Sequence, residues 1–268
     1  MMDLGSAAIL AGGGVAAGFL AGIFGVGGGI ILVPFLIWFL QANGVSSLVS
    51  THIAFGTSLC VVVFASAASA AVYQRHGYVL WRAVLAIGLA SVAGALAGSA
   101  FAGGLEGAAL RKFFAVVVVI AALRLMTRGR KTKKEEKPNL ALPGLAGTGV
   151  IVGLVSALAG VGGGVFSIPI LHTVLRFPLK QALGTSSATI VITALAASAG
   201  YIMRGWNNPF LPGGTLGFVD LLRALPIVAG AVPAAMAGAR VANRSRHEVL
   251  ARAYAIFLLI IAIKMFFF

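Results

Sequence analysis

The hydrophobic positions of this chain fall in long unbroken runs, not in the alternation of a half-buried strand or the single stripe of a soluble helix. Five runs lie near 5 to 24, 27 to 41, 51 to 74, 79 to 102 and 108 to 126, and five more near 142 to 160, 162 to 175, 183 to 203, 218 to 239 and 250 to 267. Between the two sets stands a polar stretch from Thr127 to Asn139, centred on RGRKTKKEEKP, which reads as a solvated linker. Segments apolar all round and about 20 residues long predict helices crossing a bilayer, where each backbone must satisfy its own hydrogen bonds. The pattern predicts an all-α polytopic membrane protein of about eight to ten hydrophobic helices. It divides into a first repeat over 1–126, a basic linker over 127–141 and a second repeat over 142–268.

The two sets are copies of one unit. Residues 18 to 36 read GFLAGIFGVGGGIILVPFL and residues 153 to 171 read GLVSALAGVGGGVFSIPIL. Gly25, Gly27, Gly28, Gly29 and Pro34 thereby align with Gly160, Gly162, Gly163, Gly164 and Pro169 at a constant offset of 135. Ala54, Gly56, Thr57 and Ser58 align with Ala182, Gly184, Thr185 and Ser186 at offset 128, as does Tyr73 with Tyr201, so the first half has the longer loop. GYV at 77 to 79 matches GFV at 217 to 219 at offset 140, and Gly98 with Gly238 and Phe114 with Tyr254 follow suit. Five crossings per unit is an odd number, so the second copy would enter the membrane from the opposite side, as an inverted repeat.

Length complicates the second run of each unit. Residues 27 to 41 and 162 to 175 make helices of roughly 21 Å, short of a hydrocarbon core about 30 Å thick. With a glycine run before each, and Pro34 and Pro169 as further helix-breaking residues, the first two runs of a unit can form a hairpin that returns to its own side. Both arrangements have the same parity, and the sequence leaves open ten crossings or six with two re-entrant hairpins.

Charge supports either arrangement. With the N-terminus outside and the linker cytoplasmic, 15 of the 20 basic residues lie on the cytoplasmic side, leaving Arg111, Lys112, Arg204, Arg223 and Lys264 on the other. Topology thus accounts for the net charge of +14, and the basic loops lack the interleaved aromatics that would stack bases, so nucleic acid is not an expected partner. With 60% hydrophobic residues, 10% charged and a mean hydropathy of +1.03, no segment is left for a soluble catalytic domain. Met1 to Ser6 carry Asp3 and no Lys or Arg, so a cleavable signal is not expected. The lone Cys60 excludes an internal disulfide. No Ser–His–Asp set, metal-ligand cluster or carboxylate pair can be assembled, so the expectation is a protein that is not an enzyme, with no cofactor and no metal.

The chemistry lies in the duplicated breaks. Backbone N–H groups of Gly25, Gly27, Gly28 and Gly29, and of Gly160, Gly162, Gly163 and Gly164, can turn toward a ligand, and the helix that begins there adds the positive end of its dipole. That makes an anion site without a charged residue. Hydroxyls of Thr57 and Ser58, and of Thr185, Ser186 and Ser187, can add donors, though such groups also bond the preceding helical turn. A P-loop or dinucleotide reading fails, because no Lys-Ser/Thr follows and no acidic residue lies at the required spacing. The other Gly- and Ala-rich stretches, 11 to 18 and 90 to 104, read as close helix packing. The six carboxylates, Asp3, Glu106, Glu135, Glu136, Asp220 and Glu248, all lie near run ends or in the linker, which disfavours a cation substrate. His52 and His172 are the remaining titratable groups near the motifs, as proton or substrate contacts or as structural hydrogen-bonding groups. Export of an anion needs no coupling ion, because an inside-negative potential drives one charge outward with about 2.3 kcal/mol per 100 mV.

The paired phrases GIFGVGGGIILVPFL and ALAGVGGGVFSIPIL, the AFGTS and ALGTS that follow them, and the GYV and GFV openings resemble the sulfite exporter TauE/SafE family over almost the entire chain. The resemblance implies a multi-pass transporter of the bacterial inner membrane, exporting sulfite or an organosulfonate such as sulfoacetate. Alternating access would be driven by membrane potential or a proton gradient, with the lipid bilayer and the small anion as partners. A homodimer through the Ala/Gly faces is compatible with the sequence. An anion channel on the same scaffold, or a non-transporting assembly or sensor component, stays open as an alternative.

Overall fold

The computed structural model describes residues 3–128, 138 and 140–245; the run near 250 to 267 and linker residues 129–137 and 139 lie outside these. Within them the helices follow the hydrophobic runs. The first half contains α1 Leu4–Phe24, α2 Gly29–Ala42, α3 Ser47–Arg75, α4 Trp81–Gly104 and α5 Gly107–Arg128. The second contains α6 Leu142–Ala159, α7 Gly164–Pro169 with a π-helical turn Ile170–Val174, α8 Leu179–Gly205 and α9 Leu221–Arg244. Large apolar side chains such as Trp38, Leu89, Phe101 and Met203 point outward, while alanines, glycines and serines line the helix contacts. This is the distribution of a bundle whose surroundings are as apolar as its interior. Six helices, α1, α3, α4, α6, α8 and α9, are long and apolar enough to cross a membrane.

α3 and α8 cross antiparallel in the middle of the bundle: Gly56, early in α3, approaches Tyr201, late in α8, and Gly184 approaches Tyr73 in the same way. Hydrogen bonds fix which termini share an end. At the Arg75 end, Leu80 N donates to Thr185 Oγ1 at 3.1 Å, and Lys180 Nζ donates to the Asn243 carbonyl at 2.8 Å. At the opposite end, Asp220 N donates to Thr57 Oγ1 at 2.9 Å, and His52 Nε2 lies 3.1 Å from the Ala102 carbonyl oxygen. The threonine bonds are equivalent by the sequence repeat. In each, a hydroxyl of one half accepts the N–H just before the fourth helix of the other.

The halves are interleaved rather than side by side. α1 packs parallel to α9, with Gly14, Gly18 and Gly22 against the carbonyls of Ile227, Ala231 and Ala235. α6 packs parallel to α4 in the matching register, with Gly149 and Gly153 against those of Ile87 and Ser91. Side-chain-free positions let the backbones meet, as expected for the Gly/Ala stretches. α1 therefore starts at the same end as α9, and α2 returns the chain there, where Gln41 Nε2 donates to Ser50 Oγ at 3.3 Å. The chain thus forms two hairpins, α1–α2 opening at one end and α6–α7 at the other, as either arrangement that the sequence leaves open requires.

Three local features differ from the expectations. A two-stranded antiparallel ladder, β1 Thr215–Leu216 with β2 Val219–Asp220, precedes α9 and takes up the start of what reads as the fourth apolar run. Pro34 does not break its helix, since α2 runs on to Ala42. In the second half the α-helix ends at Pro169 and widens into the π-helical turn, and Arg176 adopts φ 60°. The spacing explains this: Gly29 and Thr57 are 28 residues apart but Gly164 and Thr185 only 21, so less chain is available to return to the third helix.

The basic residues separate by end. Arg75, Arg82, Arg176, Lys180, Arg240 and Arg244 gather at the Arg75 end with no carboxylate among the described residues there, whereas Arg111, Lys112, Arg204 and Arg223 share the other end with Asp3, Glu106 and Asp220.

Candidate functional site

The glycine runs form two breaks with the same backbone. α1 ends at Gly25, whose φ of 62° and N–H bond to the Ala21 carbonyl make a left-handed cap, and α6 ends at Gly160 with φ 67° and a bond to the Ser156 carbonyl. Gly27 and Gly28 follow at φ 85° and 83°, Gly162 and Gly163 at 82° and 86°. Gly28 and Gly163 then open α2 and α7 as caps without a side chain, so no side chain covers the first N–H groups of either helix. A β-carbon at any of these six left-handed positions would be strained whatever the space around it.

The breaks meet each other. A β-carbon on Gly29 would lie 2.5 Å from the Val161 Cα and 2.8 Å from the Gly160 carbonyl oxygen; on Gly164 it would lie 2.4 Å from the Val26 Cα and 2.8 Å from the Gly25 carbonyl oxygen. The start of α2, with its partial positive charge, thus rests on a carbonyl at the end of α6, and α7 rests likewise on α1. Val62 and Ile190, equivalent residues of α3 and α8, pack against Gly27 and Gly162 where the two helices cross. The breaks are buried, and a cavity of about 10 Å³ beside the first, lined by Leu20, Phe24, Gly28 and Ile31, has room for about one water molecule.

All five hydroxyls expected at the site are buried, and all but that of Ser187 are engaged. Ser58 Oγ donates to the Gly160 carbonyl at 3.0 Å, and Ser186 Oγ donates to the Gly25 carbonyl at 3.2 Å while sharing a 2.5 Å contact with Ser167 Oγ. Each bond ties a third helix to the break of the opposite half. Thr57 and Thr185 sit beside these serines but serve as acceptors for the N–H groups before α9 and α4. Tyr73 and Tyr201, which the sequence marks only as a repeated pair, donate to the Gly22 and Ala157 carbonyls at 3.0 and 2.9 Å. They satisfy acceptors that the helix ends would otherwise leave open in an apolar setting.

The structure does not bring the two histidines into this arrangement. His172 Nδ1 is 2.8 Å from the Phe177 carbonyl oxygen, across the π-helical turn. His52 Nε2 sits 3.1 Å from both the Ala102 and the Leu105 carbonyl oxygens at the end of α4, and its ring stacks on Phe218 at 5.0 Å. Its equivalent by the repeat is Lys180, which donates to the end of α9 and lies 5.8 Å from the Tyr78 ring. Both residues place nitrogen donors on the negative end of a helix. Accordingly His52→Lys is expected to keep transport within about twofold and stability within about 1 kcal/mol. Flux measured between about pH 5 and 8, the range in which an unperturbed histidine titrates, checks this, and a lost pH response would restore a proton role to His52.

Comparison with known proteins agrees with this architecture. Residues 10–265 match the family described as sulfite exporter TauE/SafE. A probable membrane transporter protein of Haemophilus influenzae is 32% identical over 253 residues, covering 94% of this chain and 95% of that one. Probable membrane transporter proteins of Methanocaldococcus jannaschii and Bacillus subtilis are 28% and 24% identical, covering 80% and 95% of this chain and the same shares of their own. No solved structure matches. With nearly its whole length inside the match, the chain belongs to the sulfite exporter TauE/SafE family and is a multi-pass membrane transporter.

Proposed function

We propose that the protein exports a small oxyanion, sulfite or an organosulfonate, across the bacterial inner membrane by alternating access at the paired glycine breaks. The observation that carries this reading is the direct contact of two uncapped helix starts with the carbonyls of the opposite break. Each carbonyl oxygen lies beside a helix start whose N–H groups suit an anion, and parting the breaks would open the space before those N–H groups and release the Ser58 and Ser186 hydroxyls. The Arg75 end faces the cytoplasm in this reading, with the N-terminus outside and the halves inserted as an inverted repeat. The moving bodies are composite, α1–α2 with α9 against α6–α7 with α4, because those pairs share the extensive small-residue contacts. An inside-negative potential supplies about 2.3 kcal/mol per charge per 100 mV for outward movement, so a coupling cation is unnecessary.

Reconstitution into liposomes tests this. Efflux of sulfite is expected to saturate, to rise with an inside-negative potential and to accelerate when the same anion is present on the far side. Flux that never saturates would favour a channel on this scaffold, and no flux of sulfite or sulfoacetate would overturn the proposal.

A further inference from the structure

Three buried seryl hydroxyls at the breaks have no hydrogen-bond partner: Ser66 on α3, Ser156 on α6 and Ser187 on α8. Other hydroxyls in the bundle satisfy themselves locally, as Ser69, Ser91 and Thr193 do by donating to carbonyls three or four residues back. A buried hydroxyl left unpaired carries a desolvation cost that nothing in the closed bundle offsets. All three border the breaks. A β-carbon on Gly27 would lie 3.1 Å from Ser66 Oγ, one on Gly25 3.3 Å from Ser187 Oγ, and one on Gly163 3.3 Å from Ser156 Cβ. The repeat does not explain them either. Their equivalents in the other half are Ala194, Ala21 and Leu59, so the three groups make an asymmetric polar lining on a nearly symmetric backbone.

No charged side chain accompanies them in the contacts around the glycines of the breaks. Hydroxyls and backbone N–H groups offer dipoles without net charge, and in such a setting the cost of dehydrating an ion grows with the square of its charge, about fourfold from a monoanion to a dianion. Resting on the anion-export reading above, we infer that Ser66, Ser156 and Ser187 are the side-chain donors to the bound oxyanion and restrict it to a singly charged oxygen head, such as a monosulfonate or hydrogen sulfite. Sulfate and the sulfite dianion are rejected.

Titration of the full-length purified protein with methanesulfonate, hydrogen sulfite and sulfate, read by calorimetry and by melting temperature, tests the assignment. Ser66→Ala, Ser156→Ala and Ser187→Ala are each expected to weaken methanesulfonate binding by roughly tenfold or more, the range for a hydrogen bond to a charged group. The ligand-free melting temperature should stay level or rise, because each substitution removes an unsatisfied group; a structural hydroxyl would lower it. Sulfate is expected to give no shift. Unchanged methanesulfonate affinity in all three variants, or sulfate binding equal to methanesulfonate, would overturn this inference and leave the export reading standing. A wild-type protein that binds none of the three anions would overturn both.

Discussion

Gly29→Ala and Gly164→Ala should each remove most of the transport activity while leaving a folded protein. Neither glycine has a left-handed φ, so an added methyl introduces no local backbone strain. Its effect falls on the contact between the breaks, 2.5 Å from the Val161 Cα in one case and 2.4 Å from the Val26 Cα in the other, where the movable end of the Ile190 side chain is also met at 2.8 Å. Overpacking of this kind costs about 1–3 kcal/mol, a loss of roughly 5- to 150-fold in occupancy of the closed arrangement. Because both methyls push on the same contact, the double variant should lose less than the sum of the two singles. Flux in liposomes and melting in detergent measure the two quantities side by side. Wild-type flux in both single variants would show that closure of the breaks is not part of the cycle.

A different fate awaits Gly18→Leu and Gly153→Leu, which should fail to give a folded bundle at all. At these positions a β-carbon would sit 2.3 Å from the Ala231 carbonyl oxygen and 2.1 Å from the Ser91 carbonyl oxygen, and neither backbone can swing aside as a side chain would. Separating α1 from α9, or α6 from α4, removes one of the extensive contacts that join one half of the sequence to the other, with an expected loss above about 4 kcal/mol. Against a total stability of about 5–15 kcal/mol, that leaves little margin. Size-exclusion profiles and yield from membranes report the outcome, and a monodisperse peak at wild-type yield would contradict it. The two pairs separate glycines that permit a moving contact from glycines that permit a fixed one.

The sequence made much of this legible, because the signals that define it are local. Run lengths place helix ends within a few residues, and the shortness of the second runs anticipates the hairpins that α1–α2 and α6–α7 form. The duplicated GVGGG, with Thr57–Ser58 and Thr185–Ser186 following, marks the residues that the fold gathers at its centre. What stayed hidden depends on pairings between distant segments. Helices apolar on every side carry no stripe to say which neighbour they face, so the exchange of α1 and α6 between halves has no trace in the hydrophobic pattern. His52 reads as a candidate proton carrier until the end of α4 is seen beside it. Ser66 and Ser156 look like ordinary small residues of transmembrane helices, and only the positions of the surrounding acceptors reveal that their hydroxyls have none.

The exchange also sets an order of events during synthesis. Gly14 finds its partner at Ile227, about 200 residues further along the chain, and at about 5–20 residues per second this takes on the order of 10–40 s to emerge. Throughout that interval the backbone-exposing stripe of α1 lies in the membrane without the helix that covers it, whereas α4 meets α6 after a much shorter wait. Assembly should therefore proceed from the α4–α6 pair outward, with the first helix to be made among the last to dock.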